Sequence, residues 1–300
     1  MPRYIPYTYR SPDSQYGDLL YKILRHGKIA GATRQGVDAL TIMQGTMEFN
    51  LRNGFPVITD RSIKGFWDRP IGELCAFING VTTLKGLEEF GCTWWKPWVS
   101  REKTEMFGLQ PDDIGPASYG GAFHDFPTRD GGSFDQYENL LKQILRVPGD
   151  RVHFVTPWIP QENSRAEEGL QKTTIAPCHG WVHVRIVGDE LLLHMFQRSG
   201  DTPVGVPSNM VQYAALALMI EQLTGYTATT YYHTISDTHI YQNQVPNVLE
   251  ILQRAPLRLP TVLLSKEGKK IKDIHDFRRE HFELKNYHAH KPIPGIPVST

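Results

Sequence analysis

Three hundred residues with 32 Lys and Arg against 32 Asp and Glu, 40% of them hydrophobic and 21% charged, describe an ordinary globular chain; at this size it buries about 75% of its unfolded surface. A net charge of zero and a pI near 7.2 exclude a broad basic surface for a nucleic-acid backbone. The longest uninterrupted apolar run, Ala214 to Ile220, falls far short of the roughly 20 residues of a membrane span, so neither nucleic acid nor membrane is expected as a partner.

Met1-Pro2-Arg3-Tyr4 lacks the apolar stretch of a secretory signal, and a cytoplasmic location is expected. Leu19, Leu20, Ile23 and Leu24 at helical spacing predict a helix over Gln15 to His26. Ala39 to Leu51 alternates like a strand before the turn Arg52-Asn53-Gly54. Further helices are predicted over Trp67 to Asn79, closed by Gly80, and over Tyr137 to Leu145, ending before Pro148. Trp181 to Val187 and Glu190 to Phe196 read as a β-hairpin turning through Gly188-Asp189. A long apolar helix, Asn209 to Leu223, leaves a Gly/Pro-containing loop and stops near Gly225. The polar stretches Arg101 to Asp113 and Gln161 to Lys172 read as surface loops or insertions. With no repeat, linker or low-complexity block, 1–300 is expected to form one α/β (α+β) domain, a mixed sheet flanked by helices.

Cys75, Cys92 and Cys178 are widely spaced, with no C-x-x-C pair, which points to neither a disulfide scaffold nor a zinc site. His153, His183, His194, His288 and His290 lack metal-ligand spacing such as H-E-x-x-H and read as structural or surface residues, so no metal centre is expected.

The densest chemistry lies in Ala176-Pro177-Cys178-His179 followed by Gln197-Arg198-Ser199-Gly200-Asp201. A Cys in a turn after proline, brought near a guanidinium, is more easily ionised and so a better nucleophile; alone, it is more often a small buried hydrophobe. In Gly205-Val206-Pro207-Ser208-Asn209, the asparagine is either a helix N-cap or an amide that reads a ring offering a donor and an acceptor side by side. In Ser236-Asp237-Thr238-His239-Ile240-Tyr241, His239 and Tyr241 share a strand face.

Taken in order, these segments resemble the thymidylate synthase family, and the likeness runs from about Gly17 to near the C-terminus. Arg34 in Ala32-Thr33-Arg34-Gln35-Gly36 resembles the family's phosphate-loop arginine, Asn53-Gly54-Phe55-Pro56 its Gly-Phe-Pro strand, and Glu73 its active-site glutamate. Thr93-Trp94-Trp95-Lys96-Pro97-Trp98 resembles its paired-tryptophan segment, and Gly115-Pro116 with Tyr119-Gly120 its tyrosine loop with one inserted residue. The resemblance implies an obligate homodimer with a shared site, which uses 5,10-methylenetetrahydrofolate to place a one-carbon unit on C5 of a pyrimidine nucleotide monophosphate. It implies Cys178 as nucleophile at C6, Glu73 relaying protons through water, and Tyr119 assisting loss of the C5 proton. Arg34, Arg198 and Ser199 would hold the phosphate, with Arg151 from the partner subunit. Gln197 and Asp201 belong to the implied nucleotide set, His239 and Tyr241 to the sugar, and Asn209 to the base edge. Trp95, Trp98, Asp201 and Gly205 would contact the folate.

The chain departs from methylating members around the site. Their Gly-x-Gln-Trp-Arg is here Gly120-Gly121-Ala122-Phe123-His124; their Phe before the asparagine is Ser208; their arginine pair is Arg151-Val152; and the C-terminus ends in polar residues, Ser299 and Thr300. The family's exocyclic methylene intermediate takes hydride from tetrahydrofolate or hydroxide from water, and a dry site favours hydride. Ser208 and Ala122 are expected to add room and polarity, as in the family's deoxycytidylate hydroxymethylases, so 5-hydroxymethylation is favoured over dTMP synthesis. Asn209 matches the N3–H and O4 of uracil and points to dUMP, with CMP and dCMP open through a flipped amide. A second alternative is a nucleotide- or folate-binding protein without turnover, against which Glu73, Tyr119, Cys178 and Asn209 argue together.

Overall fold

The computed structural model describes residues 4–31, 35–164 and 170–299. Its central sheet has the order β1-β2-β8-β7-β6-β5, built from β1 (Lys28–Ala30), β2 (Ala39–Asn50), β5 (Phe154–Val155), β6 (Trp181–Val187), β7 (Glu190–Asp201) and β8 (Thr227–Tyr241). Two small two-stranded sheets pair β3 (Phe126–Pro127) with β4 (Ser133–Phe134) and β9 (Thr261–Leu264) with β10 (Phe282–Lys285). Every neighbour in the central sheet is antiparallel except β7 and β8. A parallel pair needs a crossover, and here it is α8 (Gly205–Thr224).

That helix is the centre of the fold. It is hydrophobic nearly all round, with Met210, Val211 and all residues from Tyr213 to Ile220 buried, the pattern of a helix enclosed on every side. The sheet lies beneath it, and α2 (Arg69–Ile78) and α6 (Gln136–Arg146) pack around it. It ends at Gly225, whose φ of +84° suits glycine and whose N–H closes on Glu221 O at 2.8 Å. The sequence pattern starts this helix at Asn209; the chain starts it at Gly205, so Asn209 sits inside the helix and is not its cap.

α1 (Gln15–His26) has the predicted span and buries Tyr16, Leu19, Leu20 and Ile23 on one face. The predicted 67–79 helix forms over Arg69–Ile78, and Tyr137 to Leu145 lies within α6. The hairpin turns at Gly188-Asp189, with Gly188 at φ +60°, and β7 continues five residues past Phe196. This extension carries Gln197 to Asp201 on a strand, beside the end of β8.

The remaining helices are α3 (Leu84–Glu89), α4 (Arg101–Met106), α5 (Tyr119–His124), α7 (Pro160–Asn163) and α9 (Val245–Leu252). Two of the polar stretches are not mere surface insertions. Lys103, Met106 and Phe107, on and just after α4, face the main cavity. Asn163 is buried, accepting from Ile159 N–H at 2.8 Å and donating to Ala117 O at 3.0 Å.

Candidate active site

Parallel pairing of β7 with β8 sets Ser199 beside Asp237 and Asp201 beside His239. Alternation along each strand then turns Ser199 and Asp201, and Asp237, His239 and Tyr241, to one face. These residues line a cavity of about 1270 Å³, which also contains Glu73, Trp95, Trp98, Tyr119, Cys178, Gln197, Arg198, Gly205 and Asn209. Thirteen of the sequence-derived site residues therefore converge, counting these with the strand residues. Arg34 lies outside the described residues, and Arg151 is exposed and does not line the cavity.

Cys178 is half-buried on the loop before β6. Arg198 Nη2 lies 3.2 Å from its Sγ, and the same guanidinium donates to Ala176 O at 3.2 Å and Pro177 O at 3.1 Å. The cation is thus fixed by the loop that carries the sulfur, an arrangement that stabilises a thiolate. Trp158 packs 5.9 Å from the guanidinium. On the other side, Tyr119 Oη accepts the Cys178 N–H at 2.7 Å. Tyr119 stacks between Phe77 at 4.7 Å and His179 at 4.4 Å, and burial pushes its phenol well above the ordinary range. Gly120 and Gly121 make this placement possible: a Cβ would fall 2.2 Å from Val81 O and 1.8 Å from Pro116 O, respectively. His179 donates to or accepts from Tyr213 Oη at 2.7 Å, and burial lowers its pKa to about 3, so the ring is neutral.

Glu73 is buried in α2. Its Oε1 accepts from Trp94 Nε1 at 2.7 Å and Trp95 Nε1 at 2.5 Å, and its Oε2 from Gln212 Nε2 at 2.6 Å. Desolvation raises its pKa from the ordinary carboxylate value despite these bonds. A chain of amides leads away from this carboxylate, and a backbone carbonyl sets its direction: Gln197 Nε2 donates to Ser199 O at 2.9 Å. Gln197 Nε2 also donates to Asn209 Oδ1 at 3.0 Å, Asn209 Nδ2 donates to Gln212 Oε1 at 2.8 Å, and the Gln212 NH2 is left facing Glu73. Gln197 Oε1 then requires a donor, which is His233 Nε2 at 2.8 Å, a ring kept neutral by burial with its pKa lowered to about 3. The Asn209 amide is therefore held in one orientation, with one N–H and one lone pair left by donor-acceptor counting.

A second network joins the strands. Ser199 Oγ donates to Asp237 Oδ2 at 2.7 Å and Thr41 Oγ1 to Asp237 Oδ1 at 2.5 Å, with His239 Nδ1 3.2 Å from Oδ2. Burial pushes the Asp237 carboxyl up, but His239, Thr41 and Ser199 together hold it well below the usual range. Asp201 differs: burial raises its pKa to about 6, although Gln244 Nε2 donates to both oxygens at 3.1 and 3.0 Å. Gln244 also donates to Pro297 O at 2.9 Å, tying the C-terminal segment to Asp201.

The structure corrects two expectations about the cavity wall. Ala122 is fully buried and does not line the cavity; its carbonyl accepts from Gln136 Nε2 at 2.6 Å, on the side of α5 that faces α6. The C-terminal segment is not simply polar there, since Ile293, Ile296 and Val298 line the cavity along with Ser299. Ser208 does line it. Sequence reasoning missed Thr41, Trp158, Gln212, His233 and Gln244, and quoted Trp94 and Asp237 without a role. Asp237 shares the parity of His239 and Tyr241, and Gln212 lies three residues along the helix from Asn209, so these two carried a local signal. Arg61, buried beside the cavity and donating to Pro203 O at 2.8 Å, was also missed.

The family model described as Thymidylate synthase matches residues 14–298. Its span takes in every residue of the cavity except Ser299. Among the described residues, no helix is long and apolar enough to cross a membrane. With a match over nearly the whole chain and a mixed sheet flanked by helices, this chain belongs to the thymidylate synthase family, whose chemistry is one-carbon transfer to C5 of a pyrimidine.

Proposed function

We propose that the chain transfers a one-carbon unit from 5,10-methylenetetrahydrofolate to C5 of dUMP and releases it as a 5-hydroxymethyl nucleotide. The observation that carries the transfer chemistry is the Arg198 guanidinium 3.2 Å from Cys178 Sγ in a cavity shared with Glu73 and Asn209. The cavity exceeds the 300–1,000 Å³ or so of one drug-sized ligand, which suits a nucleotide and a folate together. Trp95 and Trp98 offer flat apolar walls to a pterin, and Asp201 an acceptor for its N–H groups. When bound, the folate supplies the one-carbon unit at the oxidation level of formaldehyde.

The chain's own residues do the rest. The Cys178 sulfur adds to C6, and the electron pair displaced makes C5 a nucleophile; the C–S bond breaks again when product forms. Glu73, its pKa raised by burial, exchanges a proton with the base through water. Tyr119, beside the nucleophile's backbone, serves loss of the C5 proton. Arg198 and Ser199 serve the phosphate, with Arg34 and the partner's Arg151, while His239 and Tyr241 serve the sugar. The fixed amide of Asn209 presents an acceptor and a donor to N3–H and O4, which supports uracil over cytosine.

Ser208 on the cavity wall supports the hydroxyl outcome, because its hydroxyl gives water a hydrogen-bond partner inside the cavity. The balance is one water consumed and tetrahydrofolate released, with no oxidation. Ile293, Ile296 and Val298 favour a second reading, reductive methylation to dTMP, because apolar cover excludes water. Incubating the protein with methylenetetrahydrofolate and, separately, dUMP, dCMP, UMP and CMP separates them. Hydroxymethylated dUMP without dihydrofolate is expected; a methylated nucleotide with dihydrofolate would overturn hydroxymethylation, and consumption of a cytosine nucleotide would overturn the assignment of the base.

We also infer a homodimer formed through the sheet face opposite α8. Trp181, Leu192, Phe196 and Tyr232 alternate with core residues on β6, β7 and β8 and are half-buried without a covering helix among the described residues. Arg151, exposed and outside its own cavity, is available to a neighbouring subunit's phosphate site.

A further inference from the structure

Outside the cavity, His124, Asp135 and His275 meet where the end of α5, the N-cap of α6 and the 3-10 turn Ile274–Asp276 come together, and one ligand atom from each lies within 4.8 Å of the others. Asp135 Oδ2 is 2.9 Å from His275 Nε2 and 3.7 Å from His124 Nε2. Bonds of 2.0–2.1 Å at tetrahedral angles put ligand atoms about 3.3 Å apart, and the two distances bracket that value. Asp135 is already oriented, because its Oδ1 caps α6 by accepting the Glu138 N–H at 2.7 Å. His275 also has a carboxylate hydrogen-bonded at its far nitrogen, Asp273 Oδ1 at 2.7 Å from Nδ1, while Asp125 Oδ2 lies 3.1 Å from His124 Nδ1 without hydrogen-bond geometry. Such outer carboxylates are the usual companions of metal-binding histidines, because they fix the tautomer and ring orientation. Gly80, at φ +73°, leaves room for the first ring; a Cβ there would lie 3.1 Å from His124 Cγ.

We propose that His124, Asp135 and His275 bind a zinc ion, with water as the fourth ligand. Two imidazoles and one carboxylate suit zinc, and the three side chains, 15–38% exposed, leave a way in from solvent. The ion would clip α5, which begins with Tyr119, to α6 and to the 274–276 turn, and stabilise the folded chain by mass action. Histidines and carboxylates clustered without an ion form an ion-pair network, which is the competing reading.

The test uses metal-stripped protein carrying Cys178→Ser, so that the cavity thiol cannot hold the probe. Zn²⁺ is titrated against a chromogenic chelator, and thermal unfolding is followed with and without the ion. One Zn²⁺ per chain and a raised Tm are expected, with His124→Gln and His275→Gln each weakening binding at least tenfold. Asp273→Asn keeps all three ligands and removes only the outer charge on an exposed residue, and should weaken binding about 10–100-fold. Thermal unfolding in chelator verifies that each variant is folded. No binding below about 1 mM, or binding that the His124→Gln, His275→Gln double variant weakens less than tenfold, would overturn the site.

Discussion

The smallest decisive unit is the sulfur and its cation. Cys178→Ser should reduce turnover by at least about 10³-fold while nucleotide binding, measured by calorimetry, persists; full activity in that variant would end the covalent mechanism. Asp201 makes a separate prediction about pH. Its folded pKa of about 6, raised chiefly by burial, means that between about pH 4 and 6 the folded chain binds a proton that the unfolded chain has released. Stability from this group therefore falls as pH rises through that window. Asp201→Asn should flatten the slope of Tm against pH between 4 and 6, and an unchanged slope would show that the carboxyl is not buried as described. Asp237 has the opposite sign: held low by its partners, it stabilises above the ordinary carboxylate range, and that contribution is lost on acidification.

At the scale of elements, the amide chain joins four of them: α2 through Glu73, α8 through Gln212 and Asn209, β7 through Gln197 and β8 through His233. Its direction is set at Ser199 O, which accepts from Gln197 Nε2 at 2.9 Å, and agrees with the donor at His233 and the acceptor at Glu73, so the Asn209 amide is oriented from both sides. His233→Leu leaves Gln197 Oε1 without its donor, a loss of about 1–3 kcal/mol in stability. The same variant should leave the ratio of kcat/KM for uracil over cytosine nucleotides unchanged, because Gln212 Oε1 still accepts from Asn209 Nδ2 and Ser199 O still accepts from Gln197 Nε2. A narrowed ratio would show that these bonds do not hold Asn209 once His233 is gone. The central helix makes a simpler prediction. Leu216 is fully buried in α8, and Leu216→Ala should destabilise by about 2–5 kcal/mol in urea unfolding, the transfer loss plus a cavity.

For the whole molecule, the inferred dimer rests on the sheet face opposite α8. A half-buried row that includes Trp181, Leu192, Phe196 and Tyr232 is too apolar to be left in water without consequence. Leu192→Asp buries a charge in the inferred interface and should shift the mass measured by light scattering from dimer to monomer. Turnover should fall with it, since Arg151 would no longer reach a neighbour's cavity. A wild-type chain that is monomeric at micromolar concentration would remove both the interface and the role of Arg151.

Local periodicity was enough to place α1, the hairpin of β6 and β7 and most of α8, because each buries a face or stripe whose spacing is written in consecutive residues. The sequence likewise held the short motifs around Cys178, Arg198, Asn209 and His239, since each sits within a few positions. It misplaced the start of α8, where Pro207 lies in the first turn and looks like a loop residue. What joined the motifs was the register of β7 on β8, which sets Ser199 against Asp237 across 38 positions. The same is true of Glu73 and Gln212, 139 positions apart, and of His124 and His275. Ala122, which the sequence order puts near the tyrosine loop, is turned away from the cavity by the helical rotation of α5. Local spacing determines which face a residue shares with its neighbours in the chain; only the packing of distant elements determines what that face meets.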